Sequence, residues 1–466
     1  MNKPFTHPKF SLFLTFFGLA VVIHLLFPSP ILADLTLLQK IIIPYNLKTL
    51  KKSLNDGAYR GEEGILRIGP VTGKSLGMKV FIDETYRNST ELFQKADESL
   101  EEAKKFMISK EKEKFPGEFP QKIIDHFLLH KKSVDSAIKS ARSYRSRLNP
   151  DVDDRLNKAL SVILLDRLLE ESLRSTDNRL RDALGHFYNK CQGVEADGFP
   201  LTSENVEFVN YVFLKFLEQA PEEALNKYDL DRDHEYLNMK NPYNWKSVVS
   251  KGDSQYNQLL HVIFNRLKNK IYNINPLLFI ALIRNESNFD PLAISPVGAA
   301  GLTQIMPKTA KDLGMKNIFM PAYFIKAGYL MESERKMRRQ AMTALFQING
   351  NNSLHFAKRA RELMQKSLNL GDERASLFSR YRRELLQKRN DDRLQPALAI
   401  EYGLRYFSRL MMNQKGDISL ALASYNAGPH RVQKFKGIPP YEETVRFRNR
   451  VMRYYLDYTR RVKGFQ

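Results

Sequence analysis

The sequence predicts a mainly α-helical protein. Three stretches in the first half carry apolar residues at three- and four-residue spacing with charged residues between them: ESLEEAKKFMISKEKEKF, DDRLNKALSVILLDRLLEESLRS and ENVEFVNYVFLKFLEQAPEEAL. The same spacing returns later in YNQLLHVIFNRLKNKI and PLLFIALIRNES. Apolar residues that recur in this way form one face of an amphipathic helix, and such faces pack together as a core. We therefore expect helical domains in both halves of the chain.

Composition and charge narrow the class of protein. The chain has 466 residues, of which 43% are hydrophobic and 27% are charged, as in a globular protein of two or three domains. Its single cysteine, Cys191, excludes an intrachain disulfide and a thiolate metal cluster. The formal net charge of +21 favours anionic partners such as nucleic acid, lipid headgroups or an acidic polymer.

The N-terminus has the pattern of an export signal. Two lysines precede an apolar run at residues 10–27, and the segment PSPILAD follows, with a cleavage position after Ala33. Ile31 stands where a small residue is preferred, and the run is nearly long enough to span a bilayer. The sequence therefore leaves open whether residues 1–34 are removed or anchor the protein in the inner membrane. In both cases we expect a periplasmic or cell-envelope protein with no nucleic-acid partner.

The rest of the chain divides into two predicted domains. Residues 35–250 form a mostly helical domain of unknown role, and residues 251–466 form a second domain, with the polar segment DLDRDHEYLNMKNPYNWK near the boundary. The glycine-rich segment GEEGILRIGPVTGKSLGMKVFIDE predicts a short hairpin or two. Its GPVTGKS resembles a phosphate-binding loop, but only three residues separate the glycines and an extended MKVFID follows. We therefore interpret GPVTGKS as a turn between strands.

Glu286 is the candidate catalytic acid. It ends the apolar helix PLLFIALIRNES, in which Pro276 suits the first turn because its missing N–H is not needed there. A carboxyl group half inside an apolar wall has a raised pKa, which a general acid needs at neutral pH. On this stretch alone, an ordinary surface glutamate is the alternative. We expect Asp290, in the sequence FDP, to form a turn with nearby backbone.

Two later segments supply candidate binding residues. In SPVGAAGLTQIMPKTA, the spaced glycines would let backbone approach a ligand closely, while Gln304 and Met306 offer hydrogen bonding and an adaptable apolar wall. The segment LALASYNAGPHRV ends an apolar helix with Tyr425 and Asn426. A tyrosine beside a catalytic carboxylate can stack on a sugar or stabilise developing charge.

Taken in order, the E-S, G-L-x-Q-x-M-P and Y-N-A-G segments resemble the soluble-type lytic murein transglycosylases of bacterial cell walls. The resemblance covers roughly residues 255–311 and 394–460. It implies a lysozyme-like, goose-type α-helical catalytic domain at the C-terminus, preceded by the mostly helical N-terminal domain. It also implies a role for each matching residue: Glu286 as the single acid/base; Ser295, Gln304 and Met306 as sugar contacts; Tyr425 and Asn426 as supports of the acid and the substrate.

A further segment, IPPYEETVRF, is similar to the family's E-T segment, so that Glu443 matches another substrate-contacting acid. Two positions depart from the family pattern. Ala399 replaces an expected asparagine, and Phe447 replaces an expected tyrosine. Neither position supplies the proton-transfer group, but both bear on the rate and on how the tail helix closes the groove.

The resemblance implies a reaction without metal or cofactor. Glu286 would protonate the oxygen between N-acetylmuramic acid and N-acetylglucosamine and then accept a proton from the muramic C6 hydroxyl, which closes a 1,6-anhydro ring. Three alternatives stay open: a hydrolase on the same fold, a non-catalytic wall-binding scaffold protein and, motivated only by charge, a nucleic-acid binder. The sequence also leaves open exo or endo action, and a membrane surface or envelope machinery as a further partner.

A basic helical insertion is predicted at about residues 311–393. Between Met331 and Arg393 we count 15 Lys and Arg against 8 Asp and Glu, a local surplus of 7 charges. The stretches ESERKMRRQAMTALFQ, SLHFAKRARELMQKSL and ERASLFSRYRRELLQKR have the spacing of amphipathic helices. The plain interpretation is a solvated basic face. The alternative is a clamp for anionic peptides or lipid, with binding that weakens as salt rises.

Overall fold

A computed structural model describes residues 30–111, 115–194, 199–231 and 274–463. Within these ranges the chain is 72% helical, and its β-structure is limited to isolated bridges. The predicted helical class is therefore confirmed. The apolar run at residues 10–27, the helix predicted for YNQLLHVIFNRLKNKI and the boundary near residue 250 lie outside the described residues. Among the described helices, none combines the length and apolar character needed to cross a bilayer.

The described part of the N-terminal half contains these helices: α1 (Pro30–Asn55), α2 (Pro70–Ser75), α3 (Glu84–Ile108), α4 (Glu118–Ser146), α5 (Lys158–Ser175), α6 (Leu180–Gln192), α7 (Val206–Gln219) and α8 (Glu222–Leu225). The described part of the C-terminal half contains these: α9 (Pro276–Ser287), α10 (Pro307–Asp312), α11 (Ala322–Phe346), α12 (Ser353–Lys388), α13 (Pro396–Asn413), α14 (Ile418–Ala427), α15 (Pro429–Phe435) and α16 (Glu442–Lys463).

Helix α9 lies at the centre of the C-terminal half. Every residue from Pro276 to Ile283 is buried, so this helix is apolar on all sides rather than amphipathic. Its side chains share one core with residues of α13, α14 and α16. The helix that carries Glu286 is therefore held on all sides except at its C-terminal end.

The two halves repeat the same order of elements. A helix leads into a glycine-rich turn that contains a matching β-bridge, Glu63 to Ile68 in the first half and Ala300 to Ile305 in the second, where Ile294 also pairs with Ala300. A proline then begins a short helix (α2 or α10), and two long helices that pack on each other follow (α3 and α4, or α11 and α12). Finally, a DDRL segment leads into the next helix, α5 or α13.

A buried arginine holds each glycine-rich turn in the same way. Arg155 donates hydrogen bonds to the carbonyls of Gly61 and Ile68, the Tyr144 hydroxyl and the Asp153 carboxylate. Arg393 does the same to the equivalent set: the carbonyls of Gly298 and Ile305, the Tyr381 hydroxyl and the Asp391 carboxylate. The N-terminal half is therefore a second copy of the architecture that carries Glu286.

The glycine-rich segment of the first half differs from its sequence prediction. GPVTGKS forms the short helix α2 rather than a turn between strands, because Pro70 occupies the first helical position after an extended Gly69. The expected hairpins reduce to the single bridge between Glu63 and Ile68. The segment corresponds to α10 and its preceding turn in the second half.

The basic segment at residues 311–393 contains the predicted helices, α11 and α12. One side of this helix pair is buried against α3 and α4, through a core that includes Met107, Phe127 and Leu345. Its counterpart in the first half is the pair α3 and α4 itself. The two long helix pairs therefore pack on each other, one from each half of the chain.

A buried charge network joins the two halves. Arg448 of α16 donates to the Asp182 carboxylate (2.6 Å), the Asp231 carboxylate (2.9 Å) and the Ser419 hydroxyl (2.7 Å). Arg181 also donates to Asp231, at 3.1 Å. Burial alone would raise the pKa of Asp231, but Arg448 and Arg181 outweigh it and hold that pKa below its usual value. Asp231 is therefore ionised, and the network ties residues of both halves together.

Equivalent asparagines of α7 and α16 make a second contact between the halves. The Asn210 amide donates to the Ile438 carbonyl (2.8 Å) and accepts from the Ile438 N–H (3.0 Å). In the opposite direction, the Asn449 amide donates to the Leu201 carbonyl at 2.7 Å. The asparagine of each half is thus hydrogen-bonded to the loop that precedes the corresponding helix of the other half.

Candidate active site

Glu286 lies in the last turn of α9. The helix begins at the Asn275 cap, whose side chain accepts the Leu277 N–H, and ends where Asn288 adopts a left-handed conformation with φ of 47°. The carboxyl group therefore stands where carbonyls at the helix end carry partial negative charge, which disfavours a second negative charge. This local geometry favours the neutral, protonated acid.

The surroundings of Glu286 also favour the protonated form of its carboxyl group. The side chain keeps some solvent contact, but protein surrounds its carboxyl group, and this burial raises its pKa to about 8. The positive charge of Arg450 opposes the shift, and the negative charge of Glu443 adds to it. Within the described residues, the Glu286 carboxyl group makes no hydrogen bond that would hold its proton. At neutral pH it is therefore mostly protonated and able to donate.

Tyr425 of α14 lies beside this acid. Its hydroxyl donates to the Thr303 carbonyl at 2.7 Å, and its ring packs against Tyr406 and Phe407 with centroid separations of 5.2 and 5.9 Å. Burial raises the pKa of Tyr425 well above its ordinary value, and the nearby Glu286 raises it further. The phenol therefore stays neutral, and it links α14 to the glycine-rich turn.

Asn426 and Glu443 lie next to Tyr425 and Glu286. The Asn426 side-chain oxygen accepts a hydrogen bond from the Thr444 hydroxyl at 2.8 Å, and this bond joins α14 to the first turn of α16. Glu443 precedes Thr444 and is exposed, so its carboxylate is available to a ligand. Both residues lie at the end of α9 at which Glu286 stands.

Ser295 and Gln304 shape the glycine-rich turn. The Ser295 hydroxyl accepts the Ala299 N–H at 3.0 Å. Gln304 adopts a φ of 45°, and its amide donates to the carbonyls of Ala293 (2.9 Å) and Gly301 (2.8 Å). Met306, two residues later, is 37% exposed and offers an apolar surface. These contacts give Ser295 and Gln304 a structural task, while Met306 alone faces outward.

The spaced glycines are required by packing within the protein. A Cβ on Gly301 would lie 1.8 Å from the Arg393 carbonyl oxygen, and one on Gly298 would lie 2.4 Å from the Phe324 ring. Both also have positive φ, of 75° and 92°. The absence of side chains at these glycines therefore leaves space for neighbouring parts of the protein, in particular the loop around Arg393.

Three other expectations concern residues near the site. The prediction for Asp290 is confirmed, since its carboxylate accepts the Leu292 N–H at 2.8 Å and forms a turn. Ala399, at the expected asparagine position, is buried, and its carbonyl accepts the Thr303 hydroxyl at 3.2 Å. Phe447, at the expected tyrosine position, is buried in the core around α9.

The structure thus brings Glu286, Tyr425, Asn426 and Glu443 together around one end of α9, with the turn of Ser295 and Gln304 bonded to Tyr425 through Thr303. Two arginines were not identified from the sequence. Arg450 acts on the charge of Glu286, and Arg393 fixes the turn. The recurrence of DDRL at both buried arginines was the sequence signal for Arg393.

Parts of this chain are similar to known proteins. The family described as the transglycosylase SLT domain matches residues 264–359 and 375–444. A transglycosylase from Enterobacteria phage PRD1 is 39% identical over 80 residues, which are 17% of this chain and 30% of the phage protein. A solved structure of an inactive variant of the lytic transglycosylase Slt from Pseudomonas aeruginosa aligns with 82% of this chain and 52% of that chain, at 16% identity and a TM-score of 0.24. The chain thus spans only part of the length of each relative.

Proposed function

We propose that the protein is a peptidoglycan lytic transglycosylase, on the premise that the transglycosylase SLT domain family matches residues 264–359 and 375–444 of its C-terminal half. The bond cleaved is the β-1,4 glycosidic bond between N-acetylmuramic acid and N-acetylglucosamine, and the product carries a 1,6-anhydromuramic acid end. One observation carries the proposal. Glu286 is a carboxyl group with a pKa of about 8, set at the open end of a buried helix in the SLT domain.

The proposed reaction uses Glu286 twice. The protonated carboxyl group gives its proton to the glycosidic oxygen as the bond from that oxygen to the muramic C1 breaks. The substrate's own N-acetyl group stabilises the positive charge at C1. The Glu286 carboxylate then takes the proton of the muramic C6 hydroxyl as its oxygen bonds to C1. The acid returns to its starting form, and no water is consumed.

The single-acid route is supported by the state of the neighbouring carboxylate. Common glycosidases use two carboxyl groups about 5–10 Å apart, the second as nucleophile or as base for water. Asp290, one turn beyond Glu286, accepts the Leu292 N–H with one of its carboxylate oxygens, and we assign Glu443, the exposed carboxylate that acts on the charge of Glu286, to substrate binding. Ser295, Gln304, Met306, Tyr425, Asn426 and Glu443 are the proposed substrate contacts, of which exposed Glu443 and Met306 are the most accessible.

Location and partners form part of the same proposal. A peptidoglycan substrate requires an exported protein, in agreement with the export signal read from residues 1–34. The net charge of +21 suits an anionic wall polymer or a membrane surface in the envelope.

The test is the chemistry of the product. Purified protein acting on isolated sacculi should release muropeptides that lack one water relative to hydrolysis products, as measured by mass spectrometry. Glu286→Gln should reduce the rate about 10²–10⁴-fold, because the general acid is lost. Asp290→Asn is the matched control, and it should retain activity. Chain lengths of the early products distinguish exo from endo action.

Two results would overturn the proposal. Products that incorporate water, shown by ¹⁸O labelling, would identify a hydrolase on the same fold. Sacculus binding without any soluble product, equal in wild type and Glu286→Gln, would identify a non-catalytic scaffold.

A further inference from the structure

The second copy of the architecture retains the framework of the active site. In the first half, GFPLTSENVEFVN matches GIPPYEETVRFRN of the second half without a gap. Asn189 of α6 accepts a hydrogen bond from the Asn205 side chain at 2.9 Å, as Asn426 accepts one from Thr444 at 2.8 Å. Tyr188 thus takes the place of Tyr425. The contacts that position the end of α14 against α16 are therefore repeated between α6 and α7.

The first half also repeats the glycine-rich turn, including the backbone conformation at the position of Gln304. Arg67 stands at the position of Gln304, and both adopt a left-handed conformation, with φ of 53° and 45°. The backbone carbonyl of Arg67 accepts a hydrogen bond from Gln192 of α6 at 3.0 Å. In the second half, the corresponding link runs from Tyr425 of α14 to Thr303.

Tyr45 takes the place of the catalytic acid. Its ring lies 4.9 Å from the ring of Tyr211 and 5.4 Å from that of Phe208. Tyr211 corresponds to Arg450, which acts on the charge of Glu286, and Tyr45 interacts electrostatically with Tyr188 as Glu286 does with Tyr425. The second groove therefore has a phenol where the first has a carboxylic acid.

The surface around Tyr45 is suited to a sugar. Tyr211 is 43% exposed, and two leucines near these tyrosines in the sequence are exposed as well: Leu214, one turn after Tyr211 on α7, and Leu47, two residues after Tyr45 on α1. Aromatic rings present an apolar face and, through their hydroxyls, a hydrogen-bonding edge. Within the described structure, the Nε of Arg67 is buried without a hydrogen-bond partner, so a donor at this groove is unused.

We propose that this second groove, formed by Tyr45, Arg67, Tyr188 and Tyr211, binds a glycan strand of peptidoglycan without cleaving it. The identity of the glycan rests on the proposed function, because the groove repeats the framework of the transglycosylase site. The sugar faces stack on the tyrosine rings, and the arginine meets acyl oxygens or peptide carboxylates. The buried network of Arg448 fixes this groove relative to the catalytic one, so a strand held by the first half stays near Glu286.

Binding to sacculi by the full chain tests the proposal. In the Glu286→Gln background, where the wall is not consumed, Tyr211→Ala should weaken cosedimentation with sacculi about five- to tenfold, the loss typical of an aromatic contact. Tyr211→Phe should restore binding, because the ring is kept. Tyr329→Ala, which removes a 67% exposed tyrosine from α11, is the matched control and should bind like the parent.

A second measurement separates this site from the catalytic one. In the active protein, Tyr211→Ala should leave turnover of a short soluble glycan unchanged and should lower the rate on sacculi at low protein concentration. Unchanged sacculus binding by Tyr211→Ala, with cleavage intact, would overturn the second site and leave the proposed function standing. Tyr211-dependent binding by a wild type that releases no product would support the second site and overturn the proposed function.

Discussion

Glu286→Gln should stabilise the protein at alkaline pH while it abolishes cleavage. The pKa of this carboxyl group is raised from 4.5 to about 8 by burial. Below pH 4.5 the folded and unfolded chains both carry the proton, so the group has no effect on stability. Between pH 4.5 and 8 only the folded chain keeps it, and the free energy of unfolding therefore falls as pH rises through this window. Above pH 8 the penalty is complete.

The magnitude follows from the size of the shift. Each pKa unit corresponds to about 1.4 kcal/mol, so the full shift would cost about 5 kcal/mol above pH 8. Solvent reaches part of the side chain and screens the charge, which reduces the expected cost to about 3 kcal/mol. Glutamine has nearly the same shape and no charge to bury. The variant should therefore be about 3 kcal/mol more stable than the wild type at pH 8 and within about 1 kcal/mol of it at pH 5.

Urea unfolding at the two pH values measures this difference. Midpoints of both proteins are compared at each pH, and the slope of the transition is checked for constancy. Glu442→Gln is the control, because Glu442 is an exposed neighbour on α16 that pairs with Arg446; its effect should stay within about 0.5 kcal/mol at both pH values. A stability difference between Glu286→Gln and wild type that is equal at pH 5 and pH 8 would refute a buried, protonated Glu286.

Three further predictions test the charges and the turn around the site. Arg448→Met should lower the free energy of unfolding by about 3–5 kcal/mol in urea titrations, because it removes the fully buried arginine that the Asp182 and Asp231 carboxylates share and leaves each with one other arginine. Exposed Arg446→Met should change little. Gly301→Ala should lower the free energy of unfolding by more than about 3 kcal/mol on thermal unfolding, since its Cβ would lie 1.8 Å from a carbonyl oxygen. Gly314→Ala is the control: its φ is 95° and no atom lies near its Cβ, so it should lose only the backbone strain of about 1 kcal/mol. Arg450→Met removes a charge that lowers the pKa of Glu286, so the alkaline limb of the pH–rate profile should move to higher pH; a limb that stays or moves down would contradict the assignment.

Local sequence was enough to predict the features that depend on neighbouring residues. The apolar run before Glu286 predicted the buried helix α9, and FDP predicted the turn that Asp290 forms. The raised pKa also followed from that run, since it depends mainly on burial against residues of the same helix and its core.

Features that depend on distant contacts were not predicted. The close contact of Gly301 with the Arg393 carbonyl depends on a residue far along the chain, and so local sequence could not predict it. GPVTGKS was misread as a turn because its proline starts a helix only in the context of the preceding extended glycine. The repeat itself was present in the sequence as two DDRL segments. However, the first half has Tyr45 in place of the acid and Asn205 in place of Thr444, so it lacks the motif by which the repeat could have been recognised.

The reciprocal contacts of Asn210 and Asn449 have a consequence for how the protein can be divided into fragments. Each asparagine reaches across to the loop of the other half, as equivalent residues do across the two-fold interface of a homodimer. The chain is thus organised like a homodimer whose two similar halves are joined in one polypeptide, and of the two halves it is the second that carries the acid. An excised C-terminal half would lose Asp182 and Asp231 and leave Arg448 without its carboxylates. Cutting the chain in the middle would therefore break this buried network rather than yield an intact half.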